Sequence, residues 1–391
     1  MNRIVSVILF GMLAASAHAD TSSDAAFQNL ADEYLGSLTD LSPVYATMIG
    51  DHSADGELDQ VDAAGRAKSL NLLRKYQSAL ESIDRNELSR ANQVDAELLL
   101  HEIESSIWSS EVLQEWAWNP LYYINISGSS VYSLMSRDFA PPEERLMSAA
   151  SRLGQIPRFL EQARGELDAS RVPKIHAETA IAQNAGLNSI IENMIVPQMD
   201  VLTSQQQEQL NAAIETAKNA LAKHQTWLEE ELLPRATGDF RIGAELYDTK
   251  LAFALNSPLS RKEITVRAEE EYENVRRQMY DVAREIYLQM HPMTAFPDSP
   301  DEAYKQAIIR AALEEAYRKL PPRDGIVEVA KGQLQEATDF VVERNLVTMP
   351  EEPVEVIIMP EFQRGVSLAY LDPPGPLDRD QPAFYAVAPL P

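Results

Sequence analysis

Behind Ser260-Arg261-Lys262-Glu263, apolar residues return at steps of four, four, three, four, three and four: Ile264, Ala268, Tyr272, Val275, Met279, Val282 and Ile286. That spacing keeps one side of a 3.6-residue helix apolar over six turns, and no β-strand can reproduce it. Ser260 and Glu263 form a capping box at its start. The pattern predicts one long amphipathic helix, ended by His291-Pro292. A related device, Ser299-Pro300-Asp301-Glu302, places Ser as N-cap and Pro at the first helical position of a further helix reaching about Lys319. Similar patterns predict helices over 24–38, 63–83, 89–108, 142–168, 173–197, 204–233 and 324–345. Lengths above twenty residues with short connections imply antiparallel packing. No repeat of solenoid period is present.

From about Val347 the pattern changes. Val354-Glu355-Val356-Ile357-Ile358-Met359, Ser367-Leu368-Ala369-Tyr370-Leu371 and Ala383-Phe384-Tyr385-Ala386-Val387 are β-branched and aromatic runs with the composition of buried strands. The expected fold class is therefore mainly α: a large multi-helix bundle of long antiparallel helices, with a small β-sheet beginning near the C-terminus. The chain reads as the front portion of something longer, because little sequence follows the third run to cover it.

Arg3, the apolar run from Ile4 to Ala15, and Ala17-His18-Ala19 form the positive, apolar and small-residue regions of a secretory signal peptide. The expected division is residues 1–19 as leader, 20–345 as a helical domain and 346–391 as the start of a β-sheet region of a truncated catalytic half. No cysteine follows the cleavage site, so a lipid anchor is not expected; the mature protein is expected to be exported, periplasmic or secreted. No later stretch is long and apolar enough to span a bilayer. With no cysteine anywhere, stability comes from burying apolar surface rather than from disulfides.

The chain holds 60 acidic and 34 basic residues, a net charge of −26. Phosphate contacts need clustered Lys and Arg, so nucleic acid and anionic membrane are excluded as partners. The six histidines, His18, His52, His101, His176, His224 and His291, include no pair four residues apart. No zinc helix of the form His-Glu-x-x-His exists here; His101-Glu102-Ile103-Glu104-Ser105 has Ser in place of the second ligand. Ser127-Gly128-Ser129-Ser130 lacks the setting of a nucleophile elbow and reads as a turn. Asn125-Ile126-Ser127 matches a glycosylation acceptor, a pattern short enough to arise by chance. The runs Glu229-Glu230-Glu231 and Glu269-Glu270-Glu271 read as solvated helix faces. Trp108, Trp116, Trp118, Tyr122 and Tyr123 read as packing between helix ends, with a ligand groove as the alternative.

Five blocks in order carry a resemblance. They are Ser42-Pro43-Val44-Tyr45-Ala46-Thr47-Met48-Ile49-Gly50-Asp51-His52; Asp95-Ala96-Glu97-Leu98-Leu99 with Asn119-Pro120-Leu121-Tyr122; Arg137-Asp138-Phe139-Ala140-Pro141, Arg145 and Arg152-Leu153-Gly154-Gln155-Ile156-Pro157; Trp227-Leu228 through Gly238-Asp239-Phe240-Arg241-Ile242-Gly243 to Tyr247 and Leu251; and Leu346-Val347-Thr348-Met349-Pro350 to Tyr370-Leu371-Asp372-Pro373-Pro374-Gly375-Pro376-Leu377-Asp378. Through them the chain resembles the bacterial family called domain of unknown function 885. The resemblance implies an all-helical, zinc-peptidase-like architecture, with zinc expected in the longer family members and peptide as the substrate class. No catalytic or metal-ligating residue of that kind is expected among these residues. The resemblance makes the β-runs candidates for a peptide-binding sheet, with Tyr370 and Tyr385 facing substrate and Arg364 as a carboxylate clamp. The implied role is the N-terminal, channel-wall portion of an exported hydrolase, inactive alone. The alternative is a non-enzymatic periplasmic helical binding or scaffold protein.

Overall fold

The computed structural model describes residues 22–322, 325–350, 352–378 and 380–389. The expected leader lies outside the described residues. The chain is mainly α, with a three-stranded sheet near its C-terminal end. It divides into two compact units, one ending at Ile242 and resuming over Ala337–Pro389, the other spanning Gly243–Glu336.

The first unit begins with α1 (Ser22–Leu41), α2 (Pro43–Ile49), α3 (Ala63–Glu81) and α4 (Arg90–Trp108). There follow α5 (Glu115–Trp118), α6 (Pro120–Met135), α7 (Pro142–Glu166), α8 (Lys174–Gln183), α9 (Gly186–Ile190) and α10 (Ser204–Trp227). Local chemistry sets several starts: Asp62 caps α3 by accepting from Gly65 N, and Thr203 with Gln206 closes a capping box on α10. Phe27, Tyr34, Tyr76, Leu80, Leu99 and Ile103 form one core among α1, α3 and α4. A larger core joins α6, α7 and α10 through Val131, Leu153, Phe159, Leu160, Leu210 and Leu221. Each such side chain contributes about 1.5–3 kcal/mol by leaving water.

Two expectations are corrected here. Ser127-Gly128-Ser129-Ser130 is not a turn; it lies inside α6 and is buried. The serines return their hydroxyls to the helix, Ser127 Oγ donating to Ile124 O and Ser130 Oγ to Ser127 O. A Cβ on Gly128 would come within 2.4 Å of the Phe362 ring, so the small residues mark a close approach rather than a chain reversal. The single helix expected over 173–197 is divided into α8 and α9, followed by a π turn over Ile191–Ile195 and a 3-10 turn over Val196–Val201. Within this unit the sequence patterns did not mark α2, α5 or α6, and in the second unit they did not mark the helix over Ala244–Leu255. The first two are too short for a period to register, and α6 is apolar on most sides because it is buried on most sides.

The second unit contains α11 (Ala244–Leu255), α12 (Arg261–Met290) and α13 (Glu302–Tyr317), and α14 (Ile326–Arg344) leads the chain back to the first. The capping box on α12 is present, Ser260 Oγ and Glu263 satisfying each other's backbone N–H groups. The expected cap of α13 moves by two residues: Asp301, not Ser299, accepts from Tyr304 N. Along α12 most of the apolar stripe stays outside this unit's core, although its last residue, Ile286, packs against it. That core is Tyr280, Ala283, Ile308, Ile309 and Ala312, while Tyr272 and Val282 are each 58% exposed.

Strands β1 (Val354–Ile358), β2 (Ala369–Asp372) and β3 (Ala383–Val387) form a sheet of order β1-β3-β2. β1 pairs with β3 in parallel, from Val354↔Ala383 to Ile358↔Val387. β2 pairs with it antiparallel, from Ala369↔Val387 to Asp372↔Phe384.

A small core with an exposed apolar stripe makes α12 easier to open locally than the helices of the first unit. Hydrogen exchange should therefore be faster for the amides of α12 between Val266 and Met279 than for those of α7 between Leu146 and Leu160; equal protection would contradict this.

Candidate functional site

The site is built around Arg152 of α7, whose side chain is fully buried. Its Nε donates to Glu57 O at 2.8 Å, Nη1 to Ser130 O at 2.8 Å, and Nη2 to Thr47 Oγ1 at 2.7 Å and Pro43 O at 3.2 Å. A planar guanidinium suits this task because its donors diverge in one plane toward carbonyls from three segments. Burial lowers the Arg152 pKa to about 10, while the charges of Asp55, Asp59 and Glu57 oppose that fall. Asp59, also buried, accepts from Ser42 Oγ at 2.7 Å and from Val44 N at 3.1 Å, so it caps α2 from outside that helix. Burial raises the Asp59 pKa, and these hydrogen bonds and Arg152 hold the rise back.

The network continues outward. Thr47 Oγ1 accepts from Arg152 and donates to Asp55 Oδ1 at 2.6 Å. His52 lies between Asp55 and Asp378, with Nδ1 and Nε2 each 3.0 Å from a carboxylate oxygen, and its ring stacks on Phe139 at 3.6 Å. Burial works against the charged imidazole, but the hydrogen bonds and charges of Asp378 and Asp55 outweigh it and push the pKa up to about 9. His52 and Asp378 are 326 positions apart in the chain. Backbone contact seals the join: Leu377 N donates to Ile49 O at 3.0 Å, and a Cβ on Gly375 would stand 2.4 Å from Ile49 C. Only glycine admits the loop that closely.

A second anchor holds the sheet. Arg137 Nη2 donates to Asp372 O at 2.8 Å and Nε to Pro382 O at 3.1 Å, while the guanidinium lies over the Phe384 ring at 4.5 Å. Tyr132 Oη donates to Asp372 Oδ2 at 3.1 Å. Burial raises the Asp372 pKa, and Arg137 and Tyr132 counter it. Buried Arg145 shapes the turn that presents Arg137 and Phe139, through Nε to Ala140 O at 2.9 Å and Nη2 to Asp138 at 2.6 Å. Phe362, on the loop after β1, is buried in the larger helical core.

The three candidate substrate contacts are separated. Register places Tyr385 opposite Val356 and Leu371, on the sheet face away from Arg137. Tyr370 lies on the other face with Phe384 and Asp372, and its hydroxyl donates to Gln363. Arg364 follows a 3-10 turn; its Nε donates to Met359 O at 2.9 Å and its carbonyl accepts from Gln183. The acidic runs at 229–231 and 269–271 are exposed, as expected of solvated faces. Of the aromatic group, Trp116 and Trp118 donate to Ser110 O and Leu113 O, Tyr123 to Trp116 O, and Arg66 covers Trp116 at 3.7 Å, so these rings pack helix ends together. A shallow groove of about 540 Å³ between α7 and α10 is lined by Glu161, Arg164, Lys223 and Trp227, with Arg164 held by Glu161 and His224.

Of the residues that build the network, His52, Arg137, Phe139, Arg152, Asp372 and Asp378 stand in blocks that carried the family resemblance, while Asp55 and Asp59 lie outside them. Residues 43–390 match the family described as "Bacterial protein of unknown function (DUF885)". The chain belongs to that family. No curated protein matches it. Among solved structures, the chain is similar to a putative lipoprotein of unknown function from Shewanella oneidensis, with 27% identity and a TM-score of 0.70. The likeness covers 93% of this chain and 65% of that one, so the present DUF885 chain spans about two thirds of the length of the protein it matches. The blocks are visible in the sequence, but that the first, third and last of them meet through side chains is not. The signal was there in polar residues set among apolar ones, such as Arg152 before Leu153.

Two outcomes are expected. Arg152→Met leaves several buried carbonyls without donors and should lower stability by about 3–5 kcal/mol in denaturant titration; Arg152→Lys should recover little, since an ammonium cannot span the same acceptors. Because the His52 pKa is raised above its ordinary 6.5, its contribution is fully present below about pH 6.5 and is lost as pH rises through about 9. Hydrogen-exchange protection factors in 373–378, corrected for the intrinsic rise of exchange with pH, should therefore fall across that window, and His52→Gln should abolish the fall.

Proposed function

We propose that this chain forms the helical wall and part of the peptide-binding sheet of an exported, zinc-peptidase-like hydrolase. The observation that carries the reading is a small mixed sheet anchored by Arg137 and Asp372, with its outer edges on β1 and β2 unpaired among the described residues. An extended peptide binds such an edge by adding a strand: main-chain hydrogen bonds supply affinity, and alternate side chains supply selectivity. Tyr385, on the central strand between Val356 and Leu371, lies one strand in from each edge, so the side chains beside an added peptide are those of β1 and β2. Tyr370 and Arg364, engaged with Gln363 and Met359, position the strand and the turn beside it.

Zinc does not fit these residues. Among those described, no three His, Asp or Glu side chains gather where they could hold a metal ion. His52 has both ring nitrogens against carboxylates, and His224 is buried against Arg164 with its pKa lowered to about 3 by burial and by that cation. Export is supported by the N-terminal leader pattern and by the description of the Shewanella oneidensis relative as a lipoprotein. No helix among the described residues is long and apolar enough to cross a membrane.

The purified chain should bind extended peptides without cleaving them, and backbone N-methylation of the peptide should abolish binding while leaving its side chains intact. Chelator-sensitive hydrolysis by this chain alone would sink the wall assignment. Equal binding of the methylated peptide would sink the strand-addition mode.

A further inference from the structure

The backbone of β1 presents an open edge of defined length. Ala383 N donates to Pro353 O and Met359 N to Val387 O, so the odd-numbered residues of this strand turn their amide groups toward β3. Alternation then turns the N–H and C=O of Val354, Val356 and Ile358 outward, where no pairing strand stands among the described residues. Pro360 ends the run of outward donors, because proline has no N–H. The side chains along this edge are not uniform. Val354, Val356 and Ile358 share one face of the sheet, and Glu355 and Ile357 the other. Glu355 is exposed and has no hydrogen bond or ion pair among the described residues. Register sets it beside Phe384, and Phe384 beside Asp372. Arg137, over the Phe384 ring in the middle of that row, is committed to Asp372. The negative charge of Glu355 therefore stands at the open edge with nothing to neutralise it.

We propose that the β1 edge is the one that takes the peptide, and that Glu355 selects a peptide carrying Lys or Arg at the position opposite it. The inference rests on the strand-addition reading above and names its substrate class: extended cationic segments with an apolar residue on either side of the basic one. A strand added to β1 sets its side chains about 5 Å from those of β1. The residue opposite Glu355 then lies on the face of Glu355, and its two neighbours lie on the face of Val354 and Val356. Opposite charges at that spacing attract, and like charges repel. The whole molecule adds to the same preference, because a net charge of −26 draws cationic chains and repels acidic ones before contact. The β2 edge is the poorer choice: its one charged residue, Asp372, already has its partners, and its four residues offer a shorter ladder.

Capped peptides of alternating Val and Thr that differ only in a central Lys, Ala or Glu are the probes, with affinity read by fluorescence anisotropy. The Lys peptide is expected to bind about five-fold or more tightly than the Glu peptide, with the Ala peptide between them. Glu355→Lys should reverse that order. Glu208→Lys, an equal change of charge at an exposed position on α10, should keep it. Reversal by Glu208→Lys as well would reduce the preference to net charge and overturn the role of Glu355. Val356→Pro deletes an outward N–H and spares the ladder to β3, as proline does on an edge strand. It should abolish binding of the Lys peptide while amide exchange along β3 stays slow; unchanged binding would put the peptide on β2 and overturn the proposal. Equal binding of the three peptides, each still lost on backbone N-methylation, removes the selection by Glu355 and keeps strand addition. Equal binding of the Lys peptide and its N-methylated form removes strand addition itself, and failure of every peptide to bind overturns both.

Discussion

The Arg152 guanidinium is the interaction on which the most structure converges. Folding takes a charge out of water, which is favourable only when every donor finds an acceptor. Here the acceptors are main-chain carbonyls and a threonine hydroxyl from the segment between Pro43 and Glu57, with Ser130 of α6. One side chain on α7 therefore fixes the path of an irregular stretch that has few regular hydrogen bonds of its own. Through Thr47 and Asp55 the same network reaches His52, and through His52 it takes hold of Asp378. A buried cation thus connects the beginning of the helical unit to the loop between β2 and β3.

That connection explains how a sheet of three short strands can be stable. Four or five residues per strand bury little area, and isolated sheets of this size are marginal in water. This one is held at several points: Arg137 and Tyr132 grip Asp372, Phe362 enters the larger core, Gly375 rests on the end of α2, and His52 closes on Asp378. Anchored from one side, the sheet can present its other face and its edges without depending on them for its own fold.

Secondary structure was legible wherever periodicity ran long enough. The capping box at Ser260 and the course of α12 follow directly from spacing. The three β-runs became the three strands because β-branched and aromatic residues suit a pleated, half-buried surface. Legibility failed where a residue's meaning depends on a distant neighbour. Gly128 reads as a turn until Phe362 is found against it, and the stripe on α12 reads as core until its exposure is seen. The candidate site was half visible: its blocks could be quoted in order, but no local pattern told that Asp378 belongs to His52 or Asp372 to Arg137.

The sequence by itself determined the helical class, the position of the sheet, the acidic surface and the family, because each of these is written in local pattern, summed charge or ordered motifs. The tertiary structure alone decided which buried charges meet, which face of each apolar element is covered, and that Tyr370 and Tyr385 stand on opposite faces of the sheet. The physical reason is that pairing between residues hundreds of positions apart is chosen by the packing of everything between them, and a one-dimensional pattern carries no record of that choice.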